Sequence, residues 1–239
     1  MSAITLTDVG KHYDKFLDQG QRTKTYASVI GGGVDLVCYG PTSDRPFWTV
    51  CTLGISDTRM NVPADLKQIE NERAEIFMYL PANWDFPVSL SGKYDAKSWP
   101  LEMLRCVGSY VKKSGNWISM DHAIPNLDRM GKSYCDSTKL ASIVLLEPVT
   151  EDASFEKLHD DPMTICINFW LVVPITTAEH DWKKRVGIED SIFYVVGDKR
   201  EHPESVAIDY ITDPRRKCAV NDLHADVEIE KMLRSSSAE

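Results

Sequence analysis

Three groupings in this sequence have residue types that could do chemistry. The run Gly54-Ile55-Ser56-Asp57-Thr58 follows an apolar, β-branched stretch, which is how a nucleophilic serine is often presented at the end of a strand. A nucleophile elbow needs G-x-S-x-G, because both neighbours must be nearly free of side chain for the strained turn. The second glycine is missing here, so Asp57 is expected to bond the turn backbone or pair with Arg59. Asp121-His122 is the second grouping, a carboxylate beside an imidazole and so half of a triad. Adjacent residues point to opposite faces of a strand and do not meet on a helix. The two cannot easily bond each other, and His122 reads as a structural or partner-contacting residue rather than a general base. Metal ligands are the third possibility. The six histidines (12, 122, 159, 180, 202 and 224) never sit two or four apart, and the six cysteines (38, 51, 106, 135, 166 and 218) form no C-x-x-C pair. Neither H-E-x-x-H nor a local Cys/His quartet exists, and no metal or cofactor is expected.

Other local features read as structure. His159-Asp160-Asp161 precedes a proline and suits a solvated loop. Lys183-Lys184-Arg185 and Arg215-Arg216-Lys217 are basic runs for which surface ion pairing is the default. The triple glycine at 31–33 is no phosphate cradle, since no Gly-Lys-Ser/Thr follows it.

The elements that must position these residues follow from periodicity. Residues 11–19 place Tyr13, Phe16 and Leu17 on one helical face. "GGGVDLVCYGP" reads as a turn and a short strand, and "RPFWTVCTL" as a strand buried on both faces. Residues 63–72 have helical spacing. "RAEIFMYLP" alternates, with Ala74, Ile76, Met78 and Leu80 on one side and Glu75, Phe77 and Tyr79 on the other. "SWPLEMLRCVGSYVKKSG" predicts a helix capped by Ser98, with Pro100 in its first turn and Gly115 at its end. "KLASIVLLEP" and "MTICINFWLVVPI" read as central strands, and residues 178–196 as a helix in two pieces split at Gly187, although "IFYVV" (192–196) alone could be a strand. Helices and strands do not alternate regularly, so an α+β fold is expected.

The chain has 239 residues and a formal net charge of -9. Its negative field disfavours nucleic acid and favours a basic protein partner. No apolar run approaches the roughly 18 residues of a membrane span, the N-terminus lacks a signal-peptide core, and the cysteines are scattered. These features predict a reduced, cytoplasmic, soluble protein.

Seven stretches in order carry a resemblance. "RPFWTVCTLGISDTRMNVP" (45–63), "RAEIFMYLPANW" (73–84), "SWPLEMLRCVGSYV" (98–111), "DHAIPN" (121–126), "TKLASIVLLEP" (138–148), "INFWLVVPIT" (167–176) and "ITDPRR" (211–216) together resemble the suppressor of fused family, most like its stand-alone bacterial members. The resemblance covers residues 30–216. It leaves 1–29 as an N-terminal helix packed on the domain and 217–239 as an acidic helical tail, too short for the second domain of the animal protein. It implies an α+β sandwich with a mixed, largely antiparallel sheet and flanking helices, and a non-enzymatic protein-interaction module. Bacterial relatives resemble immunity proteins that neutralise a cognate toxin by binding, and that is the function expected here. A peptide-binding regulatory adaptor, as in the animal protein, is the alternative, and an uncharacterised hydrolase a third. Tyr110 matches the family's helix-end tyrosine and Asp121 the aspartate before its histidine, which place both, with His122, near the face that meets a partner. The turn bearing Gly54, Asp57, Arg59, Asn61 and Pro63 reads as a structural family signature. Gly54 supplies a special backbone conformation, while Asp57 and Arg59 tie down neighbouring backbone and charge.

Overall fold

Alternation along β4 (Ala74–Pro81) sets the architecture. Ala74, Ile76, Met78 and Leu80 enter one apolar cluster, while Phe77 and Tyr79 enter another, so this strand is covered on both faces. The computed structural model describes residues 4–17, 23–28, 33–161, 163–186, 196–201 and 207–221. To one side of β4 lie β3 (Phe47–Leu53), β2 (Asp35–Tyr39) and β1 (Lys24–Tyr26). On its other side lie β8 (Cys166–Thr176), β6 (Leu140–Leu146) and β5 (Ala123–Pro125). The order is β1-β2-β3-β4-β8-β6-β5, and β7 (Lys157–His159) pairs with the start of β8. Among the described residues, only the β4–β8 pairing within this sheet is parallel. The fold is therefore α+β with a largely antiparallel sheet, as the irregular order of elements predicts.

Helices cover both faces. α3 (Trp99–Ser114) buries Leu101, Leu104, Val107 and Val111 against the Ile76 side. α1 (Leu6–Leu17) and α4 (Thr177–Val186) cover the Phe77 side through Val9, Tyr13, Leu17 and Trp182. Between β3 and β4 comes α2 (Gln68–Asn71), and β9 (Val196–Gly197) with β10 (Ile208–Asp209) adds a short parallel ladder. No helix among the described residues is long and apolar enough to cross a membrane.

Two local expectations are corrected. Ser98 does not cap α3: it is already helical (φ -93°, ψ -22°) and makes no cap bond. Asp95 serves instead, its Oδ1 accepting from the backbone N–H groups of Lys97 (2.9 Å) and Ser98 (2.8 Å), because the chain begins to turn before the helix proper. The helical spacing of 63–72 yields only the four residues of α2; a stretch that polar buries too little to hold more. The helical piece proposed after Gly187 falls on 187–195, outside the described residues, and Val196 is in β9. The tail from 222 onward is outside them too.

Candidate functional site

The turn after β3 is organised by a carboxylate. Glu75 is fully buried, and its Oε1 accepts from the backbone N–H of Gly54 (2.9 Å), the backbone N–H of Ser56 (3.0 Å) and the Ser56 hydroxyl (2.6 Å). Its Oε2 lies 2.7 Å from the Thr52 hydroxyl, which is also 3.0 Å from the Ile76 carbonyl and accepts from the Ile76 N–H. Thr52 has one hydroxyl hydrogen to give. If Glu75 is protonated it donates to Thr52, Thr52 donates to Ile76, and both contacts are satisfied together. Burial pushes the Glu75 carboxyl up, outweighing the donors that pull it down, in keeping with that arrangement.

Ser56 is thereby a buried donor to a carboxyl group, and Cys51 is fully buried with its thiol pushed well up by burial. Ser56 is buried, and a thiol pushed up by burial is not an activated nucleophile. The ion pairs of the turn differ from the Asp57–Arg59 pairing expected. Asp57 reaches Lys112 on α3 at 3.6 Å and Arg59 reaches Glu72 at 3.0 Å, because the turn lies between α3 and the start of β4 and each charge meets the wall nearest it. Lys112 also donates to the Gly54 carbonyl. Gly54 adopts φ 117°. The Asn61 N–H donates to the Gly115 carbonyl at 2.7 Å, and the Pro63 carbonyl accepts from Leu66 at 3.1 Å. The turn thus bolts β3 to β4 and to the end of α3. Glu75 was the residue that pattern reading passed over, and its signal was a lone acid on the Phe77/Tyr79 face of an otherwise apolar strand.

Tyr110, Asp121 and His122 come together in an open cleft of about 650 Å³. Tyr110, near the end of α3, is 37% exposed, and its hydroxyl accepts from the Asn116 side chain. Asp121 has a left-handed backbone (φ 65°) at the entry to β5, and its Oδ2 accepts from Lys183 of α4 at 2.7 Å. The His122 Nδ1 accepts from the Ser119 N–H at 3.3 Å. Burial pushes this imidazole below its ordinary value of 6.5, against the pull of Asp121. The ring stands edge-on to Trp117, with centroids 4.6 Å apart. Trp117 and Lys183 are among the lining residues that motif reading did not single out as partner contacts; Lys183 was visible only as part of a basic run. Ser56 and Cys51 do not line this cleft, and among the described residues no cluster of three His, Cys, Asp or Glu could hold a metal.

The floor of the cleft is a sheet edge. β5 ends the sheet order, with Ile124 opposite Ile143. The Leu145 N–H donates to the His122 carbonyl and the Asn126 N–H to the Ala141 carbonyl. In an antiparallel ladder the bonded pairs alternate, so His122, Ile124 and Asn126 face β6, and Ala123 and Pro125 turn their backbone outward. The edge therefore offers one N–H and two carbonyls.

A family model described as Suppressor of fused protein (SUFU) matches residues 32–216. The fold is similar to that of a protein from Neisseria gonorrhoeae FA 1090 crystallised as a SUFU homolog, at 15% identity and a TM-score of 0.56, with 89% of this chain and 94% of that one covered. It is similar to a chain of the Sufu-Fu complex crystal structure at 14% identity and a TM-score of 0.57, with 94% of each chain covered. Against Drosophila Suppressor of Fused the identity is 15% and the TM-score 0.56, covering 96% of this chain and 54% of that one. The chain thus spans about half the length of the Drosophila protein. At these identities the likeness to the solved structures is one of fold. No curated protein sequence matches.

Proposed function

The chain belongs to the suppressor of fused protein family, and from that premise we infer that it is a protein-binding module that holds an extended partner segment along the free edge of β5. The observation that carries this reading is the outward backbone of Ala123 and Pro125 at the floor of the cleft lined by Tyr110, Asp121 and His122. An added strand gains main-chain hydrogen bonds from such an edge and side-chain specificity from the pockets beside it. A relative of the same fold crystallised in a complex, Sufu-Fu, supports a protein partner. A hydrolase reading draws no support from Ser56 or Cys51, whose side chains lie away from the cleft.

For the partner's identity we propose a cognate toxin domain, neutralised by capture, on the resemblance to bacterial members. A regulatory adaptor would use the same edge on several partners sharing a short motif. The net charge of -9 supports a basic partner steered by long-range attraction. The unpaired state of all six cysteines supports a cytoplasmic setting. The experiment is affinity capture from the native lysate with quantitative mass spectrometry. One stoichiometric partner bearing a toxin domain supports immunity, several sub-stoichiometric ones sharing a motif support the adaptor, and no partner contradicts both.

A further inference from the structure

The basic run at 215–217 has a place in the fold that the β5 edge does not use. It forms one wall of a second cleft, of about 480 Å³, whose other wall is the loop 136–139 leading into β6. Four cationic side chains line it: Lys139, Arg215, Arg216 and Lys217. Arg216 is committed internally. Both of its terminal nitrogens donate to the Glu179 carboxylate at 2.6 Å, and Nη2 also reaches the Pro174 carbonyl at 3.0 Å. Glu179 in turn accepts from the Ala219 N–H at 2.7 Å. This buried fork fixes the wall to α4 and the end of β8, while its own charges cancel.

The other three cations are not spent in this way. Among the described residues the side chains of Lys139, Arg215 and Lys217 have no ion-pair partner, and all three residues are exposed. Against them the cleft has one carboxylate, Asp136. The nearby Asp213 is turned to its own backbone, accepting from the Arg215 N–H at 2.8 Å. Among the lining side chains outside the Arg216–Glu179 pair, three positive charges face one negative, an excess of two, on a protein whose net charge is -9; Asp213 keeps its charge but lies outside the lining. Ser137 and Thr138 add hydroxyls to the lining. Few apolar side chains are present to bury a hydrophobic ligand.

We propose that this cleft is a binding site for a phosphate group, free or as a monoester. A phosphate monoester has a charge of about -1.5 to -2 near neutral pH and three strong acceptor oxygens, which matches an excess of two with Arg and Lys donors on opposing walls. A single carboxylate would leave one positive charge uncompensated. The site lies apart from the β5 cleft and shares no lining residue with it.

The test is an amide NMR titration at constant ionic strength with inorganic phosphate, glycerol 2-phosphate, a poly-glutamate peptide and chloride as separate arms. Saturable shifts confined to residues 136–139 and 215–218, from either phosphate probe but not chloride, are expected. The stronger of the two phosphate arms distinguishes free phosphate from an ester. The variant R215A/K217A should weaken phosphate affinity at least tenfold with an unchanged melting temperature. Should that variant fail to fold, Lys139→Ala on the opposite wall should give a loss of several-fold. Shifts equal to those from chloride, equal saturation by poly-glutamate, or unaltered affinity in the folded variants would overturn the proposal.

Discussion

Glu75 shows how much one side chain can organise. Three donors from the turn converge on a single oxygen of a fully buried carboxyl group, and its second oxygen completes a chain through Thr52. Glu75→Gln keeps an acceptor for the turn and supplies an N–H to Thr52, so it should change stability by no more than about 1 kcal/mol. Glu75→Leu strands the turn donors, each worth about 1–3 kcal/mol when buried and unpaired, and should cost several kcal/mol in urea unfolding. The pH dependence has a definite sign. Burial places the folded-state pKa above the ordinary 4.5. The protonated group therefore favours folding fully below pH 4.5, and that contribution fades as pH rises through the folded value. Comparing urea midpoints of wild type and Glu75→Gln across that range checks it: the wild type should lose stability relative to the variant as pH rises. None of this was legible beforehand. Glu75 was placed on the correct face of β4 by alternation, but alternation says nothing of which distant donors will meet it.

At the scale of elements, packing and turn geometry separate what the pattern reveals from what it hides. β4 and α3 are strongly periodic and β3, β6 and β8 are continuous apolar runs, and each lies where its apolar residues predict. Short elements escaped because their existence depends on neighbours: β5 has three residues and is a strand only because β6 offers it a ladder. α3 shows the same limit at its start, where Asp95 rather than Ser98 satisfies backbone N–H groups. The junction between β3 and α3 depends on Gly54 at φ 117°, where a Cβ would also meet the Gly33 carbonyl at 3.1 Å. Gly54→Ala should cost about 1–3 kcal/mol, read from the denaturation midpoint. The Arg216–Glu179 fork joins the segment after β10 to α4, with both side chains nearly inaccessible. Arg216→Met leaves a buried carboxylate without its partner and should cost about 3–5 kcal/mol at neutral pH. A loss below about 1 kcal/mol would mean that the fork contributes little.

For the whole molecule, the arrangement that matters is a sheet covered on both faces whose terminal strand β5 lies beside a cleft. Resemblance brought Tyr110, Asp121 and His122 to attention, and the structure places them on one surface although Tyr110 and Asp121 come from different elements. The edge itself could not be read from sequence, because which strand is last in a sheet is decided by tertiary order. With a net charge of -9, association with a basic partner should slow markedly as salt rises from about 50 to about 500 mM, while the dissociation rate changes less; stopped-flow mixing of the purified pair measures both. The proposed capture of a partner at the edge of β5 is open to test by Ala123→Pro. Proline at a position whose N–H faces outward removes no ladder bond to β6, but it withdraws the one outward donor of the edge. The decisive measurement is quantitative capture from native lysate with wild type and Ala123→Pro side by side, at matched melting temperatures. A stoichiometric partner held by the wild type and lost from the variant is the expected result. The same partner retained by the variant would contradict it.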